Sequence, residues 1–461
     1  MRIAAPQKTS ATVNTPKPPR TGALTRGAIT GVAAARIGAV RLKRRLLPAA
    51  GTSDAQAQAK DRDDAQMGHI LFQAMSQLRG SALKVSQLLS LDTGFLPAVM
   101  RRELAGACYQ VMPLNRALIG KVFRQAFGKA PEVLFEQFEP VAFAAASLGQ
   151  VHRAHLPGLG PVAVKVQYPG IAAAIPSDMQ LLRHALKASG DMLPLPPQSV
   201  IDQVVSDIEA TLLREVDYLQ EAANLQWFAQ HALLPGIVIP QVQMSHTRAQ
   251  VLTQQHLSGQ HLHAWLETAP NQAERDAQGQ RMFDWFMHCA FELGHIHADL
   301  HPGNFLFMHD DVQGHQLGIL DFGCTRILSP EFRRLVLDIW SAVLAPSSPE
   351  RDAVLMQSCL RMGLIGPDIS MQSFATDIMP ALIPFQTWAT EPFRRSHFDF
   401  ASKGALTQPP PNHQKVFGRQ VRGIPAELQA FDRAWLGLMH MLSRLGAQVC
   451  TDNPWLPIHR T

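Results

Sequence analysis

Two short motifs constrain this chain more than any other feature of its sequence. HADLHPGN occupies residues 297–304, and Asp-Phe-Gly begins at Asp321. Asp299 is followed five residues later by Asn304, and Asp321 comes seventeen residues after that. Carboxylate and amide oxygens suit Mg²⁺, and the apolar LGIL before Asp321 predicts a buried strand that ends at a cleft. The spacing therefore predicts a place where the protein holds a metal ion and a phosphate.

The motif pair matches the requirements of phosphoryl transfer. That reaction needs Mg²⁺ against the phosphates and a carboxylate near the nucleophile. A kinase catalytic loop carries an Asp, an Asn five residues later and a downstream Asp-Phe-Gly. Lys165, in the predicted strand VAVKVQ, corresponds to the lysine that reaches the phosphates and pairs with a helical carboxylate. Glu215, Asp217 and Glu221, in a helix predicted over 199–232, are all candidates for that partner.

The histidines of the first motif allow a different interpretation. HIHADLH, residues 295–301, resembles the HxHxDH pattern of metallo-β-lactamase-like hydrolases, in which imidazoles bind zinc. That pattern has a histidine directly after the aspartate, whereas Leu300 follows Asp299 here. A zinc site would also leave Asn304 and Asp321 without a role. We therefore favour the kinase-like loop, with the histidines orienting it through hydrogen bonds.

The predicted phosphate loop is unusual because it has no GxGxxG pattern. AAASLGQVH, residues 144–152, precedes Lys165 where a kinase has GxGxxG. Alanine restricts the backbone more than glycine does, so a stiffer loop is expected. The predicted phosphate ligands are backbone N–H groups and a hydroxyl of this loop: Ala144, Ala145, Ala146 and Ser147. After Asp-Phe-Gly there is no Ala-Pro-Glu, which leaves little room for a protein substrate.

These motifs together resemble the UbiB/ADCK family of atypical, protein-kinase-like ATPases over about residues 68–330. AAAS resembles the family's alanine-rich loop, EVD (215–217) its ExD motif, and EAANLQWF (221–228) the segment that supplies the helical glutamate. RGSALKVSQLLSLD (79–92) is similar to its KxGQ motif, with Ser86 where the family has glycine.

The resemblance implies a role for each matching position. Lys165 would contact phosphates and pair with Glu221, while Asn304 and Asp321 would hold Mg²⁺. Asp299 would stand where a kinase has its catalytic base. A regulatory extension would fold over the site and occlude protein substrates; its residues would be Lys84, Gln87, Glu215 and Asp217. Gln255, at the end of a strand region predicted over 236–257, is assigned to nucleotide binding.

The expected fold class is α+β, a protein-kinase-like two-lobed fold with a small β-containing N-lobe, a mainly helical C-lobe and an N-terminal helical extension. The predicted boundaries are 1–63 for a basic segment and linker, 64–136 for the helical extension, 137–258 for the N-lobe and 259–461 for the C-lobe. No run of eighteen apolar residues predicts a spanning helix. The five cysteines are scattered, which favours a reduced compartment without a zinc site.

Charge is concentrated at one end of the chain. Residues 1–53 hold ten Lys or Arg and no Asp or Glu, so the remainder is net negative although the whole chain is +5. A nucleic-acid partner is therefore not expected. Residues 23–47 predict a basic amphipathic helix for an anionic membrane surface, or alternatively an organellar transit peptide. We expect a cytoplasmic protein, peripheral on the inner membrane, with the mitochondrial matrix as the alternative.

The leading functional hypothesis is an ATPase that binds ATP with Mg²⁺ and supports ubiquinone or isoprenoid-lipid biosynthesis, in contact with enzymes of that pathway. The biosynthetic role and those partners are implied by the family resemblance alone. One alternative is a small-molecule phosphotransferase of the aminoglycoside-kinase type, which lacks AAAS and the Lys84/Gln87 helix. The other is a pseudokinase scaffold, which the presence of Lys165, Asp299, Asn304 and Asp321 disfavours.

Overall fold

The computed structural model describes residues 115–146, 148–189, 198–310, 314–404 and 423–456. They fall into two compact units, one holding residues 173–209 and the other holding the rest. The predictions for Lys84, Ser86, Gln87, Ser147 and the basic segment lie outside the described residues. The domain boundaries drawn from the sequence remain a prediction.

A five-stranded antiparallel sheet forms the small lobe. Strands β1, β3, β4 and β6 follow one another in that order, and β2 also pairs with β3. Alternate β4 residues, Val162, Val164 and Val166, are buried against α1 through Ile119 and Phe123. This period of two fixes which residues of β4 face the other way, and Lys165 is one of them. The elements of this lobe are α1 (Arg116–Phe127), α2 (Pro131–Leu134), β1 (Gln137–Phe138), β2 (Ala144–Ala146), β3 (Gly149–Leu156), β4 (Gly160–Gln167) and β6 (Val251–Gln255).

Three helices follow β4: α3 (Ile171–Ser189), α4 (Gln198–Glu215) and α5 (Tyr218–His231). The single helix predicted over 199–232 is therefore wrong, because the chain breaks at Val216 and Asp217. The side chain of Asp217 accepts a hydrogen bond from the backbone N of Gln220 at 3.0 Å and caps α5. Aspartate is among the preferred N-cap residues, so it ends one helix and begins the next. Asp217 and Glu221 therefore do not share a helix face at i,i+4 spacing.

The larger lobe is mainly helical and carries three small sheets. Strand β5 pairs in parallel with β9, which pairs with β8; β7 pairs with β10, and β11 with β12. A π-helical turn, His288–Leu293, leads from α7 into β7. The elements are β5 (Ile237–Val238), α6 (Leu262–Glu267), α7 (Gln272–Met287), β7 (His295–His297), β8 (Phe305–Asp310), β9 (Gly314–Ile319), β10 (Thr325–Ile327), α8 (Pro330–Leu344), α9 (Pro349–Arg361), α10 (Met371–Ser373), α11 (Met379–Thr390), β11 (His397–Asp399), α12 (Ala426–Leu445) and β12 (Gln448–Cys450).

The core of the larger lobe lies where α7, α8 and α12 meet. Phe286, Trp340, Phe431 and Trp435 are buried there, with ring centroids about 5 to 6 Å apart. A small antiparallel sheet followed by a helical lobe confirms the predicted α+β class. Within the described part of the chain, no helix has both the length and the apolar character needed to cross a membrane.

Candidate active site

A buried ion pair joins the sheet of the small lobe to α5. The Nζ of Lys165 on β4 lies 2.7 Å from Oε1 of Glu221, and the two residues are 7% and 2% exposed. The same Nζ lies 3.2 Å from Oδ2 of Asp321. Among the three acidic residues that the sequence left open, Glu221 is thus the one against Lys165. The structure brings together three of the predicted site residues.

The charges of this cluster perturb one another. Burial by itself lowers the pKa of Lys165, but Asp321 and Glu221 outweigh it and hold that pKa above its ordinary value. Burial raises the pKa of Glu221 to about 7, and the nearby Lys165 opposes that rise. The lysine therefore stays protonated at neutral pH. A fixed cation of this kind suits a negatively charged ligand such as a phosphate.

Tyr218, the first residue of α5, closes the cluster from one side. Its ring centroid lies 5.6 Å from Nζ of Lys165, and burial raises the pKa of its hydroxyl. A Cβ placed on Gly149 would lie 3.0 Å from this hydroxyl oxygen and would clash with the carbonyl oxygen of Val166. Gly149 is therefore required at the start of β3. Tyr218 directly follows the ExD-like motif, and this adjacency is the one sequence signal that could have identified it.

One face of α5 also holds the Asp-Phe-Gly segment. The Nδ2 of Asn224 donates to the carbonyl of Phe322 at 2.9 Å. The ring of Phe228 lies 4.8 Å from that of Phe322, which is fully buried. Glu221, Asn224 and Phe228 are three and four residues apart, so they line one side of the helix. No sequence motif identified Asn224 as a site residue, although its spacing of three residues from Glu221 places it on the same helix face.

Asp321 adopts an uncommon backbone conformation. Its φ is 58°, in the left-handed region that non-glycine residues rarely enter, Asp and Asn being among the more tolerant. Its Oδ1 accepts a hydrogen bond from the backbone N of Gly323 at 3.3 Å. The backbone N of Leu320 donates to the carbonyl of Asn304 at 2.8 Å. This last bond holds the residue before Asp321 against Asn304.

Side-chain contacts order the loop between Asp299 and Asn304. The Nδ2 of Asn304 donates to the carbonyl of Asp299 at 2.9 Å. The Nδ1 of the buried His297 accepts from the backbone N of Asp299 at 3.2 Å, and its Nε2 lies 3.2 Å from the carbonyl of Leu320. Burial lowers the pKa of His297, consistent with a neutral ring. Both ring nitrogens are therefore engaged by the backbone, which argues against His297 as a zinc ligand.

The oxygen donors fit Mg²⁺ better than a zinc set. The amide nitrogen of Asn304 is used by the loop, which leaves its side-chain oxygen as a ligand atom. The Asp321 side chain is 35% exposed. In the part of the chain that the structure describes, no three His, Cys, Asp or Glu side chains cluster as a metal site. Mg²⁺ commonly takes one or two protein oxygens and completes its shell with phosphates and water. The metal role of Asn304 and Asp321 remains a prediction that this geometry fits.

Helix α12 supports the same loop from behind. The Nε of Arg433 donates to the carbonyl of Ala298 at 2.8 Å, and its Nη2 donates to Sγ of Cys324 at 3.2 Å. A Cβ on Gly437 would lie 3.0 Å from the carbonyl oxygen of Leu300. Arg433 and Gly437 thus contact the residues on both sides of Asp299. No sequence signal pointed to them, because they lie in a helix without a recognised motif.

The other predicted site residues are placed as follows. Ala144–Ala146 form strand β2, in register with Val151, Gln150 and Gly149 of β3, so the described part of the loop is extended. The Gln255 side chain is exposed, and its backbone N donates to the carbonyl of Gln241 at 2.8 Å. Glu215 is half-buried at the end of α4, and Asp217 is the exposed cap of α5. Their roles remain predictions.

Comparison with known proteins decides the family. Residues 108–351, more than half of the chain, match the model of the ABC1 atypical kinase-like domain. The chain belongs to the ABC1 atypical kinase-like family. The resemblance to UbiB/ADCK proteins found in the sequence is thereby confirmed. Arg433 and Gly437 lie beyond the residues matched to this domain.

Relatives of this ABC1 chain come from several kingdoms. Atypical kinase COQ8B, mitochondrial, of Rattus norvegicus is 29% identical over 83% of this chain and 70% of its own. Protein ACTIVITY OF BC1 COMPLEX KINASE 8, chloroplastic, of Arabidopsis thaliana is 30% identical over 62% of this chain and 37% of its own. The chain spans less than half the length of the plant relatives it matches.

A solved structure, the Rv3197–erythromycin complex from Mycobacterium tuberculosis, matches 87% of this chain and 96% of its own. The TM-score is 0.55 at 24% identity. This likeness supports the kinase-like fold.

Proposed function

We propose that this protein is an ATPase that binds Mg-ATP and supports isoprenoid-lipid biosynthesis, such as that of ubiquinone, at a membrane surface. The observation that carries the proposal is the lysine at 2.7 Å from Glu221 and 3.2 Å from Asp321. In a kinase-like site this lysine contacts the phosphates while the Asp of Asp-Phe-Gly holds Mg²⁺. In a scaffold that binds no nucleotide, three charged groups gathered in a partly buried place would carry a desolvation cost without serving a function.

In the proposed reaction, the residues of this chain bind the nucleotide, orient the attacking group and accept its proton. Lys165 neutralises phosphate charge, and Glu221 fixes its ammonium in place. Asp321 and Asn304 would hold Mg²⁺, which when bound neutralises charge that develops on the transferred phosphate. Asp299, in the loop ordered by Asn304 and His297, orients the attacking hydroxyl or water and receives its proton.

The segment after Asp-Phe-Gly favours water or a small molecule over a protein as the acceptor. Only six residues separate Gly323 from Pro330, where α8 begins, and strand β10 occupies three of them. Strand β10 pairs with β7 next to the catalytic loop, with Thr325 opposite His297. Little chain is left there to form a platform for a peptide. Hydrolysis, or transfer to a small acceptor, is therefore the reaction that we propose.

The biosynthetic role rests on the family resemblance, and the membrane role on charge. Ten Lys or Arg without an acidic residue in the first 53 positions would attract an anionic surface. We propose that binding of this basic segment to an anionic membrane positions the nucleotide site near membrane-bound biosynthetic enzymes. A bilayer could also raise the rate of hydrolysis, as a local activator.

The test is ATP hydrolysis by the purified full chain, with vesicles of phosphatidylcholine alone or mixed with phosphatidylglycerol. We expect hydrolysis that increases on the anionic vesicles and is lost in Asp321→Asn. Asp202→Asn, at an exposed position of α4, is the matched control. Nucleotide binding without hydrolysis in any condition would instead favour the scaffold. Hydrolysis that anionic lipid leaves unchanged would remove the membrane part of the proposal.

A further inference from the structure

Gln254 lies on the same face of the sheet as Lys165. In the antiparallel pairing of β4 with β6, Lys165 is opposite Leu252 and Ala163 is opposite Gln254. Directly paired residues point to the same side of a sheet. The other side of β4 and β6, which includes Val251, packs against α1. Gln254 therefore faces the cleft that contains Lys165, Glu221 and Asp321.

The side chain of Gln254 is buried, and its amide oxygen is unsatisfied among the described residues. The residue is 6% exposed, and its Oε1 has no hydrogen-bond partner among the described residues. Buried polar side chains nearly always have a partner, so an orphan amide on a cleft face needs an explanation. The residue opposite is Ala163, whose methyl group offers the amide no hydrogen-bond partner. A bound molecule in the cleft could supply the missing partner.

The position of Gln254 indicates which part of a nucleotide it meets. It is two residues further along β6 than Leu252, so it lies about 7 Å along the sheet from the Lys165 row. Beyond Gln255 the chain leaves the sheet and enters the larger lobe, where Gln260 pairs with Phe307. With its phosphates at Lys165, a nucleotide that extended towards the larger lobe would place its base beside Gln254.

We propose that Gln254 reads the base of the bound nucleotide and selects adenine. This inference rests on the proposed nucleotide-binding function and deepens it. A glutamine amide matches adenine in two places, because its oxygen accepts from the 6-amino group and its nitrogen donates to an adjacent ring nitrogen. Guanine carries an oxygen at position 6, so the same amide orientation would bring two acceptors together. The orphan Oε1 is the atom that the 6-amino group would satisfy.

The test compares ATP with purine riboside triphosphate, which lacks the 6-amino group, in direct binding titrations. Any backbone contact to the 6-amino group is missing for the analogue in the wild type and in every variant alike. A change in the ratio of the two affinities between variants therefore reports on the side chain at position 254. Gln254→Met removes the bond to the ring nitrogen, which both triphosphates offer, and the bond to the 6-amino group, which only ATP offers. We therefore expect ATP binding to weaken by about 3- to 10-fold more than binding of the analogue, which corresponds to one hydrogen bond. The ratio should then fall by the same factor.

Two further variants make this test specific. Gln241→Met changes an exposed glutamine in the segment that pairs with β6 and should keep the wild-type ratio. Gln254→Leu, with a different shape and equally without an amide, should lower the ratio as Gln254→Met does. An unchanged ratio in folded Gln254 variants would overturn the assignment of Gln254 to the base and would leave the proposed function in place. If neither triphosphate binds the wild-type chain, both the proposed function and this assignment fail.

Discussion

Lys165 and Glu221 are 56 residues apart in the sequence, yet their charged atoms lie 2.7 Å apart in a buried site. Strand β4 presents the lysine and α5 presents the carboxylate. Asp321 reaches the same ammonium group at 3.2 Å. One lysine thus links the sheet, the helix and the Asp-Phe-Gly segment.

Removing the lysine should destabilise the fold in a pH-dependent way. Lys165→Met leaves Glu221 buried without its cation, which typically costs about 3–5 kcal/mol when the carboxylate is charged. The pKa of Glu221 is already raised to about 7, and loss of Lys165 raises it further. A raised carboxyl pKa means that stability falls as pH increases, so the loss should be larger at pH 8 than at pH 5.5. Urea unfolding at both pH values measures it.

The double variant Lys165→Met/Glu221→Gln supplies the internal check. It removes the unpaired charge, so it should be more stable at pH 8 than Lys165→Met alone. Lys121→Met, an exposed lysine of α1, should change stability little. A loss of equal size at both pH values, without rescue in the double variant, would show that the ion pair does not govern the stability of this site.

Asp321→Asn should abolish the effect of Mg²⁺ on nucleotide affinity. The wild-type chain should bind ATP about tenfold or more tightly with Mg²⁺ than with a chelator, since a metal ion held by Asp321 would offset the phosphate charge. The variant should show similar affinities in the two conditions. Calorimetric titration with and without Mg²⁺ measures this. Mg²⁺ dependence that survives in the variant would remove Asp321 from the metal site.

Ala145→Gly should change how the loop holds the phosphates. Ala145 lies in β2 opposite Gln150, with an exposed side chain. Removing its Cβ allows the backbone to approach a ligand more closely. We expect affinity for ATP to rise relative to ADP by about 3- to 10-fold, because ATP carries the additional phosphate. Titrations with both nucleotides measure the ratio; if it stays at the wild-type value, β2 has only a structural role.

Arg433 should position the loop that carries Asp299. Arg433→Lys keeps the positive charge but loses the guanidinium group, whose nitrogens donate to both Ala298 and Cys324. We expect kcat for ATP hydrolysis to fall about tenfold with little change in KM, because Arg433 does not reach the nucleotide itself. Gly437→Ala, which crowds the carbonyl of Leu300, should have the same signature. A fall in activity explained entirely by a lower Tm would contradict a positioning role.

Asp432, the neighbour of Arg433 on α12, should make stability depend on pH. Burial raises the pKa of this carboxyl to about 7. The unfolded chain ionises it at lower pH, so folding is progressively less favourable as pH rises towards 7. Asp432→Asn should therefore stabilise the chain by about 1–3 kcal/mol more at pH 8 than at pH 5. Urea unfolding of this variant beside Asp202→Asn is the measurement; an equal effect at both pH values would contradict it.

The local parts of the site were predictable because they depend on short spacings. The five residues from Asp299 to Asn304 and the apolar run before Asp321 predicted a loop and a strand end, and both are present. The run VAVKVQ predicted a strand through Lys165, and that strand is present as β4. Patterns of this length report directly on strand and loop geometry.

The helix that carries Glu221 marks the limit of such patterns. Apolar and charged residues continue at helical spacing through 199–232, so one helix was expected. The cap at Asp217 divides it, and this break orients Glu221, Asn224 and Phe228 towards Asp321-Phe322-Gly323. Whether an aspartate caps a helix or lies on its surface depends on the path of the chain, which periodicity does not contain.

The sequence by itself determined which chemistry this chain can carry: a lysine, two aspartates and an asparagine in a kinase-like order. Short spacings left three carboxylates open as the partner of Lys165, and the family resemblance pointed to Glu221, which the tertiary structure places there. Only the tertiary structure decided that Arg433 and Gly437 of α12 contact the Asp299 loop and that Gln254 faces the cleft. The physical reason is range. Residue types and short spacings express local geometry, whereas contacts between residues far apart in the chain arise when packed helices and strands bury their apolar faces together.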